Sequence, residues 1–222
     1  MGVADGAVGE PPRIGVLGGT FDPIHNGHLV IAEEARARLA LERVLFIPAQ
    51  TSPLKIGRQT AEARHRCRML ALAIAGNPAF EINRIDLERP GPSYTVDTLR
   101  LLRQELPAGA GIYFIMGQDS LVTMPHWRAP EEIVRLCRLV VANRPGYAPD
   151  VAGLEQAIPG LREALILLET PELSVSSSEL RRRVQMGWPI RYQVPEEVAA
   201  YIREQKLYRQ GEQAAPALAH PA

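Results

Sequence analysis

Residues 13–29 read Arg-Ile-Gly-Val-Leu-Gly-Gly-Thr-Phe-Asp-Pro-Ile-His-Asn-Gly-His-Leu. The first five form a short apolar, β-branched run of the kind that becomes a buried strand. Beyond it, Leu29, Val30, Ile31, Ala32, Ala35 and Leu39 recur at near-helical spacing. The glycine-rich middle is therefore a strand-to-helix turn. Gly18 and Gly19 let the chain turn sharply and let a bulky ligand approach main-chain N–H groups. The following helix offers unpaired N–H groups and the positive end of its dipole, which together make an anion site.

His25 and His28 stand three apart at the start of that helix, so both rings can project toward one face, and Gly27 leaves room on it. Two imidazoles beside a glycine turn point to phosphate oxygens. A zinc pair is the weaker reading, because two histidines at this spacing alone make a poor zinc site.

Further apolar strands alternate with helical patterns. Strands are expected at 43–48, 80–85, 112–116, 136–142 and 164–168, and helices at 60–75, from Ser93 through Leu102, at 177–186 and at 195–205. Short apolar strands alternating with helices specify a doubly wound, Rossmann-like α/β fold: one parallel sheet with helices on both faces. Ligands in such folds bind beyond the carboxyl ends of the strands, near the point where strand order reverses.

The 222 residues suffice for one domain with a sizeable core, expected over 13–209. Residues 1–12 read as a disordered leader and 210–222 as a disordered tail. Lysine plus arginine and aspartate plus glutamate both number 25, which excludes the basic excess of a general nucleic-acid binder. Cys67 and Cys137 give neither a disulfide framework nor a metal cluster and suit a reducing cytoplasm. No apolar run reaches the roughly 18 residues of a spanning helix, and no signal-peptide pattern opens the chain.

The stretch from Gly18 to His28 resembles the signature of the His-x-Gly-His nucleotidyltransferase superfamily, and its wording is most similar to the bacterial nicotinate mononucleotide adenylyltransferases. Four later segments resemble the same family in order. Residues 48–55 resemble its Pro-rich loop ending in Pro-His-Lys; Lys55 matches, and Leu54 replaces the usual histidine. Residues 93–99, Ser-Tyr-Thr-Val-Asp-Thr-Leu, resemble its Ser-Tyr-Thr-x-Asp-Thr-Leu segment. Gly117-Gln118-Asp119 followed by Trp127 matches its Gly-x-Asp…Trp spacing. Residues 175–181, Val-Ser-Ser-Ser-Glu-Leu-Arg, resemble its Ile-Ser-Ser-Thr-x-Ile-Arg motif. Arg144, in Asn143-Arg144-Pro145-Gly146, matches an Arg-Pro-Gly turn. The resemblance runs from about Arg13 to Tyr208.

It implies adenylyl transfer from ATP to nicotinate mononucleotide, giving deamido-NAD and pyrophosphate. His25, His28 and Arg181 would be the catalytic set. Gly18, Gly19, Thr20, Phe21, His25, His28, Asp119, Ser176, Ser177, Ser178 and Arg181 would bind ATP. Lys55, Tyr94, Thr95, Trp127 and Arg144 would bind the mononucleotide. Mg2+ would be held mainly by ATP phosphates, with no protein ligand set. Read without the resemblance, the hydroxyls of 93–98 are helix caps, Asp119 an N-cap, Trp127 a core residue, and Lys55 and Arg144 solvated loop cations. An adenylyltransferase preferring nicotinamide mononucleotide or another phosphorylated acceptor, such as phosphopantetheine, is the alternative. A non-catalytic nucleotide-sensing or RNA-binding module on the same fold is the reading from a different class. A homo-oligomer is left open, and neither a nucleic-acid nor a membrane partner is expected.

Overall fold

A computed structural model describes residues 11–51, 60–143, 149–171 and 173–209. Six parallel strands form one sheet: β1 (Arg13–Gly19), β2 (Arg43–Pro48), β3 (Phe80–Ile82), β4 (Gly111–Gly117), β5 (Arg138–Asn143) and β6 (Leu165–Glu169). They lie in the order β3-β2-β1-β4-β5-β6. The chain winds outward from β1 to one edge and then returns to build the other half from β4. Strand order therefore reverses between β1 and β4, which are paired with Leu17 opposite Ile115.

The interior positions of β1, β2, β4 and β5 are apolar because both faces of the sheet are covered there, as parallel sheets require. Their side chains alternate between two cores. Leu17, Val44, Phe46, Ile115 and Val140 pack on one side with α1 (Asn26–Arg38), α2 (Ala63–Ile74), α8 (Ser177–Gln185) and α9 (Glu196–Glu204). Ile14, Val16, Leu45, Ile47, Ile112, Phe114, Met116, Leu139 and Val141 pack on the other. That second core is completed by α3 (Thr95–Glu105), α4 (Gln118–Thr123), α5 (Pro130–Leu136), α6 (Val151–Ala157) and α7 (Leu161–Ala164). Gly15 sits in the first layer for want of space: a Cβ there would lie 2.9 Å from Val44 Cγ2 and 3.0 Å from Leu41 Cδ1.

Several expected boundaries shift. The strand expected over 80–85 stops at Ile82, because Asn83 turns the chain, its Oδ1 accepting the Ile85 N–H at 2.8 Å. Leu136 ends α5, a helix opened by Pro130, and β5 begins only at Arg138. Ser93 does not cap α3. Tyr94 holds that position without a side-chain cap, and Ser93 Oγ instead accepts the Gln50 N–H at 3.0 Å. Ser176 does cap α8, accepting the Glu179 N–H at 3.2 Å. The expected tail and residues 1–10 of the expected leader lie outside the described residues, as do Lys55 and Arg144. No helix among the described residues is long and apolar enough to cross a membrane.

Candidate active site

A cavity of about 380 Å3 opens at the carboxyl ends of β1 and β4, where the strand order reverses. Gly18, Gly19, Thr20 and Phe21 form its floor as β1 runs out, and Gly117 and Ser120 border it where β4 passes into α4. His28 and Ser177 line it at the starts of α1 and α8; Tyr94, Thr95 and Trp127 line it from the α3 side. Motifs scattered along the sequence from Gly18 to Ser177 thus meet at one sheet edge.

The β1–α1 turn is built from the inside out. Phe21 adopts a left-handed backbone at φ 50° and is 2% exposed. Its ring meets His28 edge-on at 5.2 Å and Phe46 at 5.9 Å. A Cβ at Gly19 would come within 3.0 Å of that ring, so the glycine is required for Phe21 to fold under the turn. Gly27 has a related role, and it differs from the expected one. A Cβ there would lie 3.1 Å from His25 Nδ1, so the space it leaves is filled by the His25 ring and not by a ligand.

The two histidines stack at 3.7 Å, with 29° between their planes, yet they are not equivalent. His28 lines the cavity. Its Nδ1 accepts the His25 backbone N–H at 3.2 Å, so the ring proton sits on Nε2. His25 is buried, at 7% exposure, and its Nδ1 has no hydrogen-bond partner among the described residues. Burial pushes its pKa from 6.5 down to about 4. His25 is therefore neutral at pH 7. It can support and shape the turn, or donate a single N–H.

The α8 motif docks directly on this turn. Arg181 Nη1 donates to the Asp22 carbonyl at 2.7 Å and lies 3.7 Å from Asp22 Oδ2. Ser177 Oγ donates to the Pro23 carbonyl at 2.9 Å. Ser176 and Ser178 are exposed at the same helix end, where first-turn N–H groups have no partner within the helix. Of the expected ATP-binding set, Asp119 stands apart: it is exposed in the first turn of α4, while its neighbours Gly117 and Ser120 line the cavity.

On the α3 side, Trp127 packs edge-on against Phe114 at 6.5 Å and its buried Nε1 has no partner among the described residues. Arg128 lies 4.9 Å above the Tyr94 ring and pairs with Asp97 at 3.2 Å. Trp127 packs against the second core and also lines the cavity. His126, Arg128, Asp86 and Thr98 line it too. The first two flank Trp127 in sequence and could have been suspected from that alone.

A buried polar node beneath the turn has no sequence signature of its own. Asp22 is 1% exposed, and its Oδ1 accepts from Tyr208 Oη at 2.7 Å and from the Ala61 N–H at 3.2 Å. Arg66, 2% exposed, donates to the carbonyls of Thr20 and Ala49, both at 2.8 Å, and of Ala61 at 3.1 Å. These side chains tie α2 and the turn after α9 to the glycine loop.

The match to known proteins follows this geometry. The family model described as cytidylyltransferase-like covers residues 16–183, from β1 through the α8 motif. The chain is 53% identical over 196 residues to the probable nicotinate-nucleotide adenylyltransferase of Roseiflexus sp. (strain RS-1), covering 88% of this chain and 98% of that one. It is 47% identical over 206 residues to the protein of the same name from Thermomicrobium roseum, covering 93% and 96%. This chain belongs to the nicotinate-nucleotide adenylyltransferase family. Among solved structures, the Plasmodium falciparum nicotinic acid mononucleotide adenylyltransferase shares the fold at 22% identity. Its complex with APC superposes with a TM-score of 0.71 and its complex with NaAD with 0.72, each covering 89% of this chain and 97% of that one. In this adenylyltransferase chain the glycine turn and the α8 motif stand at opposite ends of the matched region, and the fold joins them through Arg181 and Ser177.

Proposed function

We propose that this adenylyltransferase uses ATP and nicotinate mononucleotide to make deamido-NAD and pyrophosphate in NAD biosynthesis, through a single domain over residues 13–209 in the cytoplasm. The carrying observation is the cavity at the β1/β4 switch point. One end is built for anions, by the glycine turn, His28 and the α8 N-terminus. The other is built for a planar ring, by Tyr94 and Trp127.

In the reaction, an oxygen of the mononucleotide phosphate bonds to the ATP α-phosphorus while the bond from that phosphorus to the bridging oxygen breaks, and pyrophosphate leaves with the electron pair. The attacking group has a second pKa near ~6 and is largely a dianion at neutral pH, so no general base is required. Catalysis then consists of alignment and of stabilising charge on the transferring and leaving phosphates. His28 Nε2–H, the N–H groups of residues 18–20 and of the α8 first turn, and Arg181 supply that stabilisation. Neutral His25 buttresses His28 by stacking. Asp119 receives the adenosine ribose hydroxyls, and Ser176 and Ser178 the distal phosphates; Lys55 and Arg144 join the acceptor side on the strength of the sequence motifs. Mg2+, held mainly by the ATP phosphates, would supply further positive charge against them.

The acid is favoured over the amide by two features of one wall. Thr95 opens α3 there, presenting the positive end of an 11-residue helix, and Arg128 stands beside it. The test is pyrophosphate release from ATP with nicotinate mononucleotide, nicotinamide mononucleotide and phosphopantetheine in parallel. The fastest turnover is expected with nicotinate mononucleotide. A preference for either other acceptor overturns the substrate, and silence with all three overturns the enzyme reading in favour of a binding module.

A further inference from the structure

Asp86 is a buried carboxylate, 5% exposed, in the wall of the cavity at the acceptor end. The proposed reaction uses no carboxylate there, and an unbalanced one would repel a substrate that itself carries a carboxylate and a phosphate. Asp86 is balanced by Arg89, whose Nε and Nη2 donate to Asp86 Oδ1 at 3.1 and 2.9 Å. Thr98 Oγ1 lies 2.7 Å from the same oxygen.

The pair does more than cancel charge. Arg89 Nη1 donates to the Pro92 carbonyl at 3.1 Å and Nη2 reaches the Tyr94 carbonyl at 3.4 Å, on either side of Ser93. Thr98 Oγ1 also lies 3.1 Å from the Tyr94 carbonyl. One planar guanidinium thus braces the loop before α3 against a residue of the helix's own first turn, a task its fixed fork of donors suits. Ser93 is pinned from the opposite side, where its N–H donates to the Thr51 carbonyl at 2.9 Å. The segment held this way is Tyr94–Thr95, which meets the mononucleotide ring in the proposed function.

We propose that Asp86, Arg89 and Thr98 are positioning residues for the acceptor: they fix the Tyr94–Thr95 end of α3 and so set the affinity for the mononucleotide, with no part in ATP binding or the transfer step. The inference rests on the proposed substrate assignment. Its geometry separates it from the glycine turn, since among the described residues the hydrogen bonds of these three side chains bridge the loop, α3 and each other.

The test compares wild type, Arg89→Lys, Thr98→Val and Thr98→Ser, with pyrophosphate release measured while each substrate is varied against saturation by the other. A lysine ammonium cannot span the carboxylate and two carbonyls, and Arg89→Lys is expected to raise KM for nicotinate mononucleotide about tenfold, with kcat and KM for ATP held within about twofold. Thr98→Val should move the same constant by about threefold, and Thr98→Ser, which keeps the hydroxyl, should restore it. A joint rise of both KM values, or a fall in kcat with the acceptor KM unchanged, overturns the positioning role. A loss of thermal stability with both KM values unchanged overturns it too, since that is what a purely structural brace would show. If Arg89→Lys does not fold, the two Thr98 variants decide. Wild type that turns over while the variants show no split between substrates removes this inference alone; wild type silent on the mononucleotide removes the substrate assignment with it.

Discussion

The two histidines of one motif sit at different depths. His28 is on the cavity wall with its proton held on Nε2, whereas His25 lies beneath it with an Nδ1 unpartnered among the described residues. His28→Ala is expected to cut kcat by about 10²–10³, the loss typical of one donor aimed at developing charge, while KM for ATP changes by a small factor. Steady-state kinetics with ATP varied checks this, and near wild-type turnover would remove His28 from the catalytic set. His25 gives a pH signature instead. Its folded-state pKa is lowered from 6.5 to about 4, so the unfolded chain takes up this proton first as pH falls. The stability it contributes is complete above pH 6.5 and is lost progressively down to about pH 4, by roughly 3 kcal/mol in all. Urea midpoints measured across that window should fall with pH in the wild type, and His25→Asn should flatten the slope.

Among the elements, α8 and the closing turn after α9 act on the glycine loop through single side chains. Arg181 and Ser177 hold its carbonyls at Asp22 and Pro23, and Tyr208 holds the Asp22 carboxylate. The Tyr208 hydroxyl is kept protonated by burial and by the neighbouring carboxylate, so it is a fixed donor over the whole working range of pH. Tyr208→Phe removes that donor and leaves the ring, and it should lower the unfolding free energy by about 1.5–3 kcal/mol, read by denaturant titration. A change of only a few tenths would mean that the Asp22 carboxylate finds another donor. None of this was legible locally. The closing segment looks like simple packing in sequence, and the helical pattern around Arg66 gives no reason to bury an arginine. The carbonyls that justify the burial come from the loops after β1 and β2.

Across the whole molecule, the sheet brings the glycine turn, His28 and Ser177 to the same cavity as Tyr94 and Trp127, and under the proposed function the two substrates should be separable by mutation. Trp127→Ala is expected to raise KM for the mononucleotide about tenfold, as loss of an aromatic platform does, with KM for ATP nearly unchanged; equal effects on both constants would contradict a ring-stacking role. The sequence by itself determined the fold class, the strand count and the starts of α1 and α8. Those features depend on local periodicity, on glycines the turns demand and on caps such as Ser176, all of which act within a few residues. The tertiary structure alone decided which histidine faces the cavity, that Arg66 bonds to the Thr20 carbonyl and Tyr208 to Asp22, and that Asp86 and Arg89 pair beside the loop before α3. Burial and hydrogen-bond partnership are set by residues far apart in the chain. Asp22 and Tyr208 stand 186 positions apart yet 2.7 Å from each other, and no local pattern encodes a contact of that kind.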